Sequence, residues 1–171
     1  MAINGFDIDA FRSNYADLAR QYTFVIHLNN PFGTLGTEAT KFLVNASSMP
    51  GSTIDPIEAH WQGNIMPLAA THTFEDWTVT FKCDSKAQIR KDLLKWHETI
   101  HNPRTNVHAA PSVYMVDQEI WQLNTEGNPI HKMKLIGAWP TVVGELTLDY
   151  SAKDICTFDV TIKYIRHETI G

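Results

Sequence analysis

The chain has 171 residues, 43% hydrophobic and 19% charged, with a formal net charge of −5. That length and balance describe a single globular domain with room for a substantial core, and they exclude an intrinsically disordered chain. An acidic balance without a Lys/Arg cluster excludes a protein built to grip nucleic-acid phosphates, and no run approaches the roughly 18 apolar residues of a membrane helix.

The N-terminal segment, residues 1–20, opens with residues 1–9, which hold no basic residue and no apolar stretch, so neither a secretory signal nor a membrane anchor is expected. Ile8, Phe11, Tyr15 and Leu18 recur three or four apart, which predicts a short helix over residues 7–19 with Asp7 at its cap. Residues 22–28 alternate as a first strand, Asn29 to Gly33 break it, and residues 41–47 read as a second strand. Residues 49–70 are divided by Pro50, Pro56, Gly63 and Pro67, which argues against a central strand. They predict an irregular hairpin that projects from the sheet and carries Ile54, Ile57, Trp61, Ile65, Met66 and Leu68. Apolar groups on such an arm need a covering surface, either a partner or the chain's own core.

Residues 74–81 predict a strand with Trp77, Val79 and Phe81 inward. A helix over residues 86–102 follows, with Asp84 and Ser85 at its start and Pro103 at its stop. Ile89, Leu93, Trp96 and Ile100 form its narrow apolar stripe, and Leu94 lies outside that stripe. Arg90, Lys91 and Lys95 make its other surface mildly basic, a solvated face or a dock for an acidic partner. Residues 111–123 read as a long strand, 124–129 as a hairpin turn and 130–139 as the returning strand. Gly144 then punctuates before Leu146, Leu148 and Tyr150 alternate with Glu145, Thr147 and Asp149. A last strand over residues 157–164 places Phe158, Val160, Ile162 and Tyr164 on one face. Glu145, Asp149 and Asp159 fall on wet strand faces. The fold class is mainly β: an antiparallel sandwich or partly closed barrel with one flanking α-helix and a projecting arm.

Two segments carry a resemblance. Residues 73–80 read TFEDWTVT, with Phe74, Asp76 and Trp77, and residues 139–149 read WPTVVGELTLD, with Trp139, Pro140, Gly144, Glu145 and Leu146. In that order and at that separation they resemble the tail tube proteins of T-even-like, contractile-tailed phages, and the likeness runs from about residue 43 to 164. The resemblance implies a structural virion protein whose hexameric rings stack head to tail, their strands joining into one barrel around a lumen. It implies a contractile sheath outside, a tape-measure protein within, and baseplate and tail-terminator proteins at the ends. DNA would pass through without specific binding, and assembly would occur in the host bacterial cytoplasm. The resemblance also implies that residues 49–70 reach adjacent subunits, and that Glu145, Asp149 and Asp159 face the lumen or an interface. The tube or tube-initiating ring of a phage-like injection particle would use the same fold.

The rival reading is chemical. His97, Glu98 and His101 match H-E-x-x-H on the predicted helix, the spacing by which zinc hydrolases hold one ion with two imidazoles and activate its water. The helix ends at once in Asn102 and Pro103, and a third ligand would have to be Glu119 or Glu126 on or beside a hairpin. The match is therefore read as chance, with no metal. Cys83 and Cys156 stand in no metal or redox spacing and are expected to be reduced thiols. There is no glycine-rich phosphate loop and no serine elbow, so no cofactor and no catalysis are expected. A monomeric ligand-binding barrel is the third alternative.

Overall fold

The computed structural model describes residues 8, 18–35 and 38–170. In chain order, β1 (Phe24–His27) leads to a short helix, α1 (Glu38–Leu43), which runs directly into β2 (Val44–Ser47). A hairpin of β3 (Ser52–Trp61) and β4 (Asn64–Phe74) follows, then β5 (Trp77–Lys82). The main helix, α2 (Gln88–Ile100), gives way to a small ribbon of β6 (His101–Asn102) and β7 (Val107–His108). One helical turn, α3 (Pro111–Tyr114), precedes β8 (Val116–Leu123), the long β9 (Pro129–Val143), β10 (Thr157–Lys163) and β11 (Arg166–Ile170).

The principal sheet is antiparallel in the order β1-β8-β9-β10-β5-β2, with β11 also on β9. Strand β9 belongs to both halves of it. Its first part pairs with β8 and β11, and its last part, from Trp139 to Val143, pairs with β10. The change of partner falls at Gly137, whose φ of +65° only glycine adopts without strain. Its N–H donates to the Asp117 carboxylate at 3.1 Å, and the β8–β9 register shifts between Val116 and Gln118 beside it. A bulge of this kind bends a strand and increases its twist. The sheet therefore curls until its end strands, β1 and β2, flank a gap of about 230 Å³ lined by Thr23, Phe24, Ser47, Met49 and Ile120. The mainly β, antiparallel architecture expected as a sandwich or partly closed barrel is observed, with β9 shared between its two halves.

Period-two alternation makes the core. Trp77, Val79 and Phe81 on β5 face Phe158, Val160 and Ile162 on β10, none more than 3% exposed. Each side chain buried to this degree contributes roughly 1.5–3 kcal/mol. Helix α2 covers the core with Ile89, Leu93 and Trp96, and Ile100 packs at the margin. Two indoles are satisfied as they are buried: Trp77 Nε1 donates to Ser47 Oγ and Trp96 Nε1 to the Tyr114 carbonyl, both at 2.9 Å. The fully buried Gln118 is satisfied likewise, its amide exchanging hydrogen bonds with the Asn29 backbone at 2.6 and 2.8 Å.

Several sequence expectations are corrected here. Residues 41–47 are not one strand, because the chain is helical to Leu43 and extended only from Val44. Helix α2 starts at Gln88 instead of residue 86. Ala87 occupies a left-handed conformation (φ +50°), while the Asp84 carboxylate accepts from Gln88 N at 2.9 Å and so still caps the first turn. Residues 111–114 form a helical turn with Pro111 in its first positions, which shortens the expected strand to Val116–Leu123. Residues 145–150 are not a strand: the β9–β10 ladder stops at Val143, Gly144 makes the last backbone hydrogen bond to Asp159, and the chain leaves the sheet there. Strand β11 was not foreseen, since its sequence lacks an apolar alternation. The helix expected over residues 7–19 lies, except for Ile8 and its last two residues, outside the described residues.

Candidate assembly surfaces

The segment expected to be an irregular hairpin is a regular two-stranded ribbon. Nine cross-strand pairs from Ser52–Phe74 to Trp61–Asn64 hold it, with one register shift between Ile54 and Pro56. Gln62 (φ +46°) and Gly63 (φ +83°) close it as a two-residue turn with both residues left-handed, the form that matches strand twist. The prolines are tolerated because a ribbon has no outer neighbours, so only every second N–H has a ladder partner to lose. Residues 52–73 are all exposed, so the ribbon stands clear of the barrel as an arm. At about 3.3 Å per residue it is roughly 35 Å long.

Register sorts the arm's side chains into faces, because directly opposed residues share one. Pairs 57–68, 59–66 and 61–64 put Ile57, Ala59, Trp61, Met66 and Leu68 on one face, with Trp61 73% exposed. Ile65 lies opposite His60 on the other face, where His60 and Glu58 approach to 3.8 Å. Ile54 lies nearer the root and is also exposed. The root is fixed: Gly51 O accepts from Glu75 N at 3.1 Å, and Phe74 packs against His72 and edge-on against His167. Tyr164 lies at the same root. Burial, with the nearby charges of Glu75 and Asp76, pushes its hydroxyl pKa up to about 12.

The two sequence motifs meet across one strand. Trp77 is opposite Ile162 on β10, and Ile162 is opposite Pro140 on β9. Trp77 and Pro140 are fully buried, Trp139 lies edge-on to Tyr114, and Leu146 packs on the core. Asp76 pairs with Lys163 at 3.8 Å. Gly144 passes so close to β10 that its N–H donates to Asp159 O at 2.7 Å, and an added Cβ would lie 2.7 Å from that oxygen. The motif residues thus build the barrel; they do not converge on a pocket.

The three acids expected on wet strand faces divide. Asp159 is exposed on β10, where its carboxylate accepts from Thr80 Oγ1 at 2.6 Å. Around it the outer face of β5 and β10 carries Thr78, Thr157 and Thr161, with Lys82 opposite Thr157 and Lys163 beyond Thr161, a polar surface of threonines flanked by two lysines. Glu145 and Asp149 are instead in the loop between β9 and β10. Asp149 accepts from Ser151 N at 2.9 Å and from Ser151 Oγ at 2.8 Å, which hold its carboxyl below the usual range. That loop also exposes Leu148 and Tyr150, a feature missed from sequence because their spacing mimics a strand.

His97 and His101 do not form an imidazole pair on one helix face. The chain leaves the helix at His101 (φ −144°, ψ 115°), whose ring stacks on His108 at 4.3 Å and contacts Asn106 at 3.0 Å. His97 and Glu98 are exposed, and among the described residues no group of three or more His, Cys, Asp or Glu could hold a metal ion. Glu119 accepts from Trp121 Nε1 at 3.0 Å. The basic face of α2 is engaged internally. Arg90 donates to Gly144 O at 2.6 Å, Lys91 to Lys86 O at 2.9 Å, and Lys95 lies 4.6 Å over the Phe32 ring.

A barrel with an unsupported apolar arm and no clustered chemistry is the form of an assembly protein. The profile of one protein family, described as phage tail tube protein, matches residues 4–170. The chain belongs to that family. It is 29% identical, over 156 residues covering 90% of it and 91% of the relative, to tail tube protein gp19 of Enterobacteria phage T4. The tail tube protein of Serratia phage KSP90 is 25% identical over 152 residues, 86% of each chain. Among solved structures, the fold matches a chain of the sheath/tube terminator of an extracellular contractile injection system (PVC). The TM-score is 0.70 at 17% identity, over 90% of this chain and 97% of that one. A chain of the sheath-tube complex of the same kind of system matches with a TM-score of 0.67 at 17% identity, over 96% and 97%. This tail tube protein is a structural component of a contractile phage tail, not an enzyme.

Proposed function

We propose that copies of this tail tube protein close into hexameric rings that stack head to tail as the inner tube of the tail. The observation that carries the reading is the arm: one continuous apolar face on a ribbon that is exposed from residue 52 to 73 and meets its own barrel only at its root, around Phe74. Ile57, Trp61, Met66 and Leu68 would each contribute roughly 1.5–3 kcal/mol on full burial, enough together to offset the cost of association. The strands at the ends of the sheet, β1 and β2, can also pair with strands of neighbouring copies, as open edges do.

In this assembly the arm reaches an adjacent subunit, and Asp159 with its threonine surroundings faces the lumen. A net-acidic protein, with threonines on this face and only the separated Lys82 and Lys163, the latter paired with Asp76, offers phosphate little grip, so a tape-measure protein and then the genome pass without being held. The sheath surrounds the tube, and baseplate and tail-terminator proteins close its ends. The particle forms in the host bacterial cytoplasm and the protein ends in the virion tail. The fold match to contractile injection systems keeps a second reading, the tube of a phage-like injection particle, and head genes beside the tail genes would decide against it. Negative-stain electron microscopy of concentrated protein tests the assembly: hollow filaments with sixfold end views are expected. A solitary species at every concentration, salt and seeding condition would overturn it.

A further inference from the structure

The loop between β9 and β10, residues 144–156, contains no strand or helix and yet is held at both feet. Gly144 N donates to Asp159 O at 2.7 Å, Cys83 N to Cys156 O at 2.8 Å, and Cys156 Sγ reaches Thr147 O at 3.5 Å. Between the feet, the turn at Asp149 and Ser151 holds Leu148 (81% exposed) and Tyr150 (fully exposed) outward. Two large apolar side chains held out by a pinned loop form a knob, and nothing on their own barrel covers them.

At the other end of β9 the surface is concave. A groove of about 410 Å³ runs beside β1 and β8, lined by Phe24, Val25, Phe42, Trp121, Leu123 and Pro129. Knob and groove match in charge as well as polarity. Residues 145–156 contain Glu145, Asp149 and Asp154 against one cation, Lys153. The groove is bordered by Lys41, and Lys132 lies 4.9 Å over its Trp121 ring, so two cations stand there against one carboxylate, Glu119, which accepts from Trp121 Nε1. Pro129 begins β9 and Gly144 follows its last residue, so the two features lie at opposite ends of that 15-residue strand within one copy. A projection and its complement at opposite ends of one rigid subunit make a heterologous contact, which propagates from copy to copy and closes a ring or extends a filament.

We infer that Leu148 and Tyr150 of one copy seat in the Phe42–Trp121–Pro129 groove of the next. The contact rests on the self-association proposed above and names one of its interfaces. It is tested by cross-linking assembled tubes of the full chain carrying Tyr150→Cys and Phe42→Cys, with Cys83→Ser and Cys156→Ser. Oxidation should give a non-reducing gel ladder in multiples of the 19.4 kDa chain, ending at the ring's copy number if the contact runs around the ring. Monomer alone from tubes that microscopy shows intact would overturn the inference and leave the tube standing. Failure of the wild-type chain to form tubes would overturn the assembly reading and the contact with it. In a second measurement, the solvent-exposed double change Leu148→Ser, Tyr150→Ser should keep the monomer's circular dichroism and raise the critical concentration for assembly by about 100-fold. Assembly at the wild-type concentration would also overturn it.

Discussion

Three glycines separate backbone conformation from close approach, and replacing each with alanine measures the two effects independently. Gly127, in the β8–β9 turn, has φ +86° and nothing within 4 Å of an added Cβ, so Gly127→Ala reports the left-handed penalty alone, about 1–2 kcal/mol. Gly137 adds a neighbour to that penalty: its Cβ would lie 2.7 Å from Ile165 Cδ1. Ile165 is more than half exposed and free to turn away, so the increment is small and Gly137→Ala should cost about 2 kcal/mol. Gly144 is the opposite case. It has no left-handed φ, but its Cβ would meet the backbone oxygen of Asp159 at 2.7 Å, and that oxygen also accepts the Gly144 N–H. A backbone on a paired strand cannot swing aside, so Gly144→Ala should cost about 2–3 kcal/mol by forcing the end of β9 from β10. For a domain of this size each kcal/mol lowers Tm by roughly 2–4 °C. Urea midpoints, measured on chains kept below the assembly concentration, give the three values directly. A neutral Gly144→Ala alongside a destabilising Gly127→Ala would refute the close-approach argument.

Trp61→Ala should leave monomer stability within about 0.5 kcal/mol, since the indole touches no core, yet raise the critical concentration for tube formation by at least tenfold; sedimentation separates the two effects. Asp117 is held below its ordinary carboxylate range by its hydrogen bond from Lys134, which outweighs partial burial, and by the Gly137 N–H. Its contribution is therefore present above its unfolded value of 3.8 and lost as pH falls through the lower folded value. Asp117→Asn should flatten the acid limb of a stability-versus-pH curve below pH 4. For Tyr164 the sign reverses: with a folded pKa near 12 against 10.0, its contribution is complete below pH 10 and lost as pH rises toward 12. Tyr164→Phe should remove that alkaline loss, as circular dichroism at rising pH would show.

The barrel was legible wherever an alternating row meets a partner strand on the same chain. Trp77, Val79, Phe81 and Phe158, Val160, Ile162 announce their strands because their inward faces fill one another's gaps. Leu146, Leu148 and Tyr150 show the same alternation and form no strand: Leu146 packs on the core while Leu148 and Tyr150 stay exposed on the loop. Alternation reports apolar side chains that need cover; it does not say which molecule supplies the cover. The arm was read correctly as a projection and wrongly as irregular, because prolines forbid a central strand but not a free ribbon. Strand β11 carried no signal: Arg166, His167 and Glu168 pair with β9 through the backbone, and no apolar row marks them. The H-E-x-x-H spacing failed as a site for a local reason, the departure of the backbone from the helix at its second histidine.

Strand β9 has one mechanical consequence. It is one continuous strand, bent at Gly137, running through both halves of the barrel and stitched along its flanks by β8, β10 and β11. Tension applied between its ends would load those stitches together in shear instead of unzipping them one by one. The subunit should therefore resist stretching along this direction far better than prying across it.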